Sequence, residues 1–110
     1  MNRTRLLQSL AITIGLCHAG STFATSEAEE QKAAAACFGC HGPGGNKPVT
    51  ADIPRLAGQH YDYLVEAMTA YRKGTRDNPI MGAIAKPLTD DQIRGLAAYF
   101  SSQQGLTTKR

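Results

Sequence analysis

Apolar and polar positions along the chain fall into three helical stretches separated by two long interruptions. From Gln59 to Lys73, Tyr61, Leu64, Val65 and Met68 recur every three or four residues, and Tyr71 or Arg72 continues the row. That spacing predicts an amphipathic helix, and Gly74 stands where a C-terminal cap belongs. Near the C-terminus, Thr89-Asp90-Asp91-Gln92 has the form of a capping box. It opens a helix whose inner face is Ile93, Leu96, Ala97 and Phe100. The pattern fades at Ser101, and a frayed tail is expected from Gly105. Upstream, Ser26-Glu27-Ala28-Glu29 is another capping box, with acids in the first turn and Ala33 to Ala36 behind them. A helix over about Glu27 to Cys37 follows from those signals. Residues 39–59 hold Gly39, Gly42, Gly44, Gly45, Pro43, Pro48 and Pro54; residues 75–88 hold Pro79, Met81, Gly82 and Pro87. Both stretches read as loops. With no repeat and no strand pattern, the expected fold is all-α, three main helices joined by long loops.

The first segment reads as an address. Arg3 and Arg5 precede the mostly apolar run Leu6 to Leu16, and Thr22-Phe23-Ala24 fits small-x-small cleavage. This order is that of a secretory signal peptide. Residues 1–24 are therefore expected to be removed, leaving a domain over 25–110 in the periplasm. The run falls short of the roughly 20 apolar residues of a membrane-spanning helix, so no span is expected in the mature chain; an uncleaved anchor is the alternative. Arg3 and Arg5 are not adjacent, against a twin-arginine signal. Leu16 before Cys17 is not the small residue that lipidation wants.

Composition narrows the function. The full chain has 12 Lys and Arg against 9 Asp and Glu. Removing Arg3 and Arg5 with the leader leaves 10 basic residues against 9 acidic ones, without the clustered basic face of a nucleic-acid binder. Tryptophan is absent and aromatics make up 6% of the chain. A domain of this size buries only about 60–65% of its unfolded surface, so something beyond its own side chains is expected to complete the core.

Cys37-Phe38-Gly39-Cys40-His41 carries the chemistry. C-x-x-C-H is the attachment motif of c-type haem. Two thiols form thioethers to the haem vinyl groups, and the adjacent imidazole reaches the iron from one face. Other readings of the pair fit less well. A disulfide across so short a loop adds little stability, a thioredoxin-type dithiol wants a βαβ setting, and structural zinc wants four ligands. For a sixth iron ligand the candidates are Met68 and Met81. Met68 lies among Leu64, Val65 and Tyr71, where core packing accounts for it. Met81 sits in Asn78-Pro79-Ile80-Met81-Gly82, between a residue that stiffens the chain and one that allows close approach. Met81 is the expected ligand; Met68 or an open sixth site are the alternatives. His60 reads as a helix-start residue, Asp90 and Asp91 as first-turn charges, and His18 leaves with the leader.

With these motifs in place, the chain resembles the class I c-type cytochromes, in particular short periplasmic ones and single halves of dihaem forms. Cys37 to His41, Ile53 to Gln59, the Met81 segment and Leu96-Ala97-Ala98-Tyr99-Phe100 carry the resemblance, over roughly residues 27–103. It implies a cytochrome c-like fold around one covalent haem c, held by Cys37 and Cys40 and ligated by His41 and Met81. It also implies that Pro54 offers its backbone carbonyl to the His41 imidazole, and that the first and last helices cross. The implied function is one-electron transfer between redox partner proteins, by a chain expected to be monomeric and not itself an enzyme. Lys47, Arg55, Arg76 and Lys86 flank the ligands and are candidates for the rim of a docking face. The alternatives are a haem protein with an open sixth site, a haem-free dithiol protein, and the haem subunit of a larger oxidoreductase complex.

Overall fold

The computed structural model describes the backbone over residues 23–105 and side chains from residue 27. The expected cleavage segment therefore lies mostly outside the described residues. Five α-helices follow one another: α1 (Phe23–Ala34), α2 (Phe38–His41), α3 (Tyr61–Lys73), α4 (Pro79–Ala85) and α5 (Asp90–Ser102). Tight 3-10 turns over Ala35–Cys37 and Pro43–Gly45 flank α2, and no strand occurs among the described residues. No described helix is long and apolar enough to cross a membrane.

The last helix organises the rest. Thr89 accepts from the Gln92 N–H at 3.2 Å while the Gln92 side chain accepts from the Thr89 N–H at 2.9 Å, the reciprocal box that its sequence predicts. Ile93, Leu96, Ala97 and Phe100 are buried along one face. α1 packs on this face, and Ala34, with no exposed surface, joins Leu64, Leu96, Ala97 and Phe100 in one core. α3 packs on it from another side through Leu64, with Val65 and Met68 against the same cluster. Met68 is a core residue. Phe38, Tyr99 and Phe100 form a chain of ring contacts at 6.1 and 5.1 Å that ties α2 to α5.

Three expectations needed correction. α1 begins at Phe23, so Ser26 lies inside the helix. With the helix beginning at Phe23, the N–H groups just after Ser26 find carbonyls four residues back, and a Ser26 cap is not required for them. The helical run also does not stop at Cys37. It tightens into a 3-10 turn and resumes as α2, so the C-x-x-C-H motif is itself helical. Finally, the stretch from Thr75 to Leu88 is not all loop. Asn78 accepts from the N–H groups of Ile80 and Met81 at 3.1 and 2.9 Å, and Pro79 occupies the first helical position, so α4 forms inside it.

The long loop after α2 is anchored at Gly45. Its carbonyl accepts from the N–H groups of Leu56 and Ala57 at 2.8 and 3.1 Å. Its φ is 72°, and a Cβ there would lie 2.8 Å from a Phe100 ring carbon and 2.9 Å from Leu56 Cβ. Gly45→Ala therefore combines a left-handed backbone with a clash inside the core. A loss of about 2 kcal/mol or more is expected, read as a drop in Tm of about 10 °C in thermal circular dichroism of the haem-loaded protein. An unchanged Tm would contradict the packing at this position.

Candidate functional site

Cys37, Cys40 and His41 occupy one short helical stretch, at spacings of three and four residues. Those spacings bring side chains to the same side of a helix. The stretch is fixed at both ends. On one side α1 and the Phe38 ring join it to α5; on the other, the Gly42 N–H donates to the Phe38 carbonyl at 3.0 Å and the Val49 N–H to the Cys40 carbonyl at 3.0 Å. The second bond folds the loop back over the motif. Gly42 makes that return possible: its φ is 81°, and a Cβ would fall 2.1 Å from the Lys47 carbonyl oxygen.

His41 is 6% exposed, a buried polar residue in an otherwise apolar set. Its Nδ1 lies 2.7 Å from the Pro54 carbonyl oxygen. A carbonyl oxygen only accepts, so Nδ1 carries the proton and Nε2 keeps its lone pair. Nε2 has no hydrogen-bond partner among the described residues, and no buried polar side-chain atom there is left unpartnered. The imidazole is thus oriented, fixed in one tautomer, and open at the nitrogen suited to bind a metal. Pro54 itself lies in the loop that Leu56 and Ala57 tie to Gly45, so the carbonyl is held from the same anchor as the core.

The two cysteines are free thiols, Cys37 half-buried and Cys40 exposed. Burial, and then the neighbouring Cys40, push the Cys37 thiol above its ordinary pKa. Redox-active dithiols work with a depressed thiol pKa, so the shift runs against that reading. No group of three or more His, Cys, Asp or Glu among the described residues is placed to hold a metal ion, as a zinc site would need. Beside Pro54 a cavity of about 560 Å³ opens to solvent, lined by Val49, Ile53 and Arg55 among others.

Met81 stands on a different element. It is half-buried in the first turn of α4, its N–H held by Asn78 at 2.9 Å. Its neighbours Ile80 and Ile84 are 68% and 46% exposed, and Val49 in the opposite loop is 63% exposed. Such apolar exposure suits contact with a large apolar ligand. α4 packs on α3, α3 on α5, and α5 on α1, so the element carrying Met81 is related to the segment before His41 through the core. His60 lies exposed at the start of α3, with no capping side-chain bond. Asp90 and Asp91 are exposed at the start of α5 and pair with Arg72 and Arg94. Sequence reasoning missed Arg72, whose partners lie 16 and 18 residues away.

Two thiols and an imidazole on one helical stretch, a thioether on another, and exposed apolar side chains near each in sequence are a set that fits a covalently attached haem. Comparisons with known proteins agree. A family model described as cytochrome c matches residues 27–104. Cytochrome c4 of Thiocapsa roseopersicina is 43% identical over 77 residues, covering 70% of this chain and 39% of that protein. A thiosulfate dehydrogenase electron acceptor of Thiomonas intermedia is 43% identical over 68 residues, 62% of this chain and 31% of that one. Among solved structures, cytochrome c4 of Acidithiobacillus ferrooxidans superposes with a TM-score of 0.59 at 35% identity, over 74% of this chain and 49% of that chain. The chain thus spans less than half the length of these relatives. With the helical C-x-x-C-H turn, the oriented His41 and a family match over most of its length, the chain belongs to the cytochrome c family.

Proposed function

We propose that this chain is a periplasmic electron carrier with one covalently bound haem c. The observation that carries the reading is the His41–Pro54 bond, which leaves an oriented Nε2 beside two thiols on the same helical stretch. Each thiol, Cys37 and Cys40, adds across a haem vinyl group, so no atom is lost. His41 Nε2 and the Met81 sulfur would be the protein's two ligands to the haem iron. The haem supplies one-electron exchange between ferric and ferrous iron, and Met ligation opposite His holds the potential high. The protein keeps both ligands in place and excludes water, while exposed Lys47, Arg55 and Lys86 rim a face for a redox partner. Its near balance of charge predicts association rates with modest salt dependence.

Export completes the reading. Release of residues 1–24 removes the first two residues of α1 and hands its start to the Ser26–Glu29 capping box. The donor is a dehydrogenase or a comparable oxidoreductase, as the name of the Thiomonas relative implies for that protein. The alternative role is that of the haem subunit of a larger oxidoreductase complex, and copurification of a partner after mild detergent-free lysis distinguishes the two.

Expression of the full chain in a host with haem-maturation machinery is expected to give one c-type haem per chain in the pyridine haemochrome spectrum. A colourless, correctly exported product would overturn the reading. In the Cys37→Ala, Cys40→Ala double variant, far-ultraviolet circular dichroism is expected to show most helix lost, because the haem completes the core; native helix content would contradict that.

Met81→Ala is expected to lower the reduction potential and to tighten carbon monoxide binding to the reduced protein by roughly tenfold or more, since no internal ligand competes. Unchanged binding would point to another sixth ligand.

A further inference from the structure

The segment carrying Met81 leaves α3 and returns beside it. Its entrance is held by main chain. The N–H groups of Thr75 and Arg76 both donate to the Ala70 carbonyl, at 3.0 and 3.2 Å, and the Thr75 hydroxyl donates to the same oxygen at 3.3 Å. Arg76 also stacks 4.8 Å over the Tyr71 ring and donates to the Tyr63 hydroxyl at 3.2 Å. The exit is held differently. Pro87 has no N–H to contribute; Leu88 packs against the core, and among the described residues the hydrogen bonds from the exit to α3 are made by one side chain. Arg72 donates from Nη1 to the Leu88 carbonyl at 2.8 Å and from Nη2 to the Asp90 carboxylate at 2.5 Å. One guanidinium thus joins α3, the end of the Met81 segment and the first residue of α5.

The two bonds are unequal. Asp90 is 67% exposed and Arg72 22%, so their ion pair is screened by water. The bond to Leu88 is partly buried, and a charged donor to a carbonyl is the stronger kind of hydrogen bond. Lysine at this position has a single ammonium group and no planar fork to reach both acceptors at once.

We propose that Arg72 is a positioning residue for Met81, closing the base of the 73–88 segment and thereby setting how often the Met81 sulfur leaves the haem iron. The proposal rests on Met81 being the sixth ligand. An external ligand binds only when that position is free, so its apparent dissociation constant is the intrinsic one divided by the open fraction. Loosening the base raises that fraction without touching the site.

Imidazole titration of the oxidised, haem-loaded protein, followed by its visible spectrum, tests this. Arg72→Ala is expected to tighten apparent imidazole binding by roughly tenfold, the scale of a lost charged hydrogen bond. Asp90→Asn, which removes only the exposed pair, is expected to change it less than about twofold, and Arg72→Lys to fall between. Arg94→Ala removes the same charge from α5 outside this bridge and is expected to match the wild type. In a Met81→Ala background the Arg72→Ala effect should vanish, because both act through one ligand.

If Met81→Ala itself leaves imidazole affinity at the wild-type value, the ligand assignment fails and the proposal with it. If Met81→Ala tightens binding but Arg72→Ala does not, or Arg94→Ala tightens it equally, only the role of Arg72 is overturned. Should Arg72→Ala not accumulate as folded protein, Arg72→Lys decides, and wild-type affinity in that variant overturns the proposal.

Discussion

Phe100 is the contact on which the rest of the structure depends. Its ring, 3% exposed, fills the space that Gly45 leaves by having no side chain, and its carbonyl accepts from the Gly58 N–H at 2.9 Å. Both ends of the loop between α2 and α3 are thereby fastened to the last turns of α5. Pro54 lies within that loop, and its carbonyl is what orients the His41 ring. A residue deep in the core, 59 positions after His41 in the chain, thus decides which nitrogen of that imidazole is free. Packing and chemistry meet through two hydrogen bonds and one missing methyl group.

How much of this could be read from the sequence depended on the range of each interaction. α5 was fully legible, because its capping box and its apolar face are set within four residues. So was α3, whose period carries it to Gly74 in the left-handed conformation. The C-x-x-C-H motif identified itself by type and spacing. α4 was missed for a physical reason: seven residues make too few turns for a period to emerge, although Asn78-Pro79 was a start signal in plain view. The start of α1 was misjudged because a capping box states where a helix is able to begin and cannot tell whether the preceding residues extend it. The Gly45–Phe100 contact and the Arg72 bridge join residues far apart in sequence, and no local pattern encodes either. Pro54 came from the resemblance to a family, not from the residues around it.

The two sides of the site are built with different firmness. On the His41 side the ligand belongs to a helical turn, packed through Phe38 and Tyr99, and its free nitrogen is defined by a backbone carbonyl from a loop anchored in the core. On the proposed Met81 side a short helix, with exposed Ile80 and Ile84 and only Ala85 buried, rests against α3, and its base is closed by Leu88 against the core, a largely solvent-facing ion pair and one partly buried bond. Local opening in proteins follows the segments with the fewest buried contacts, which assigns any opening of the site to the Met81 side. That asymmetry suits the chemistry. A cofactor attached through Cys37 and Cys40 would be held by the motif turn itself, so a second ligand can come from a segment that is held less firmly. In the proposed reading the second ligand, Met81, belongs to the more loosely held segment, so the side chains that close that segment, Arg72 first among them, would govern how long the iron keeps both ligands.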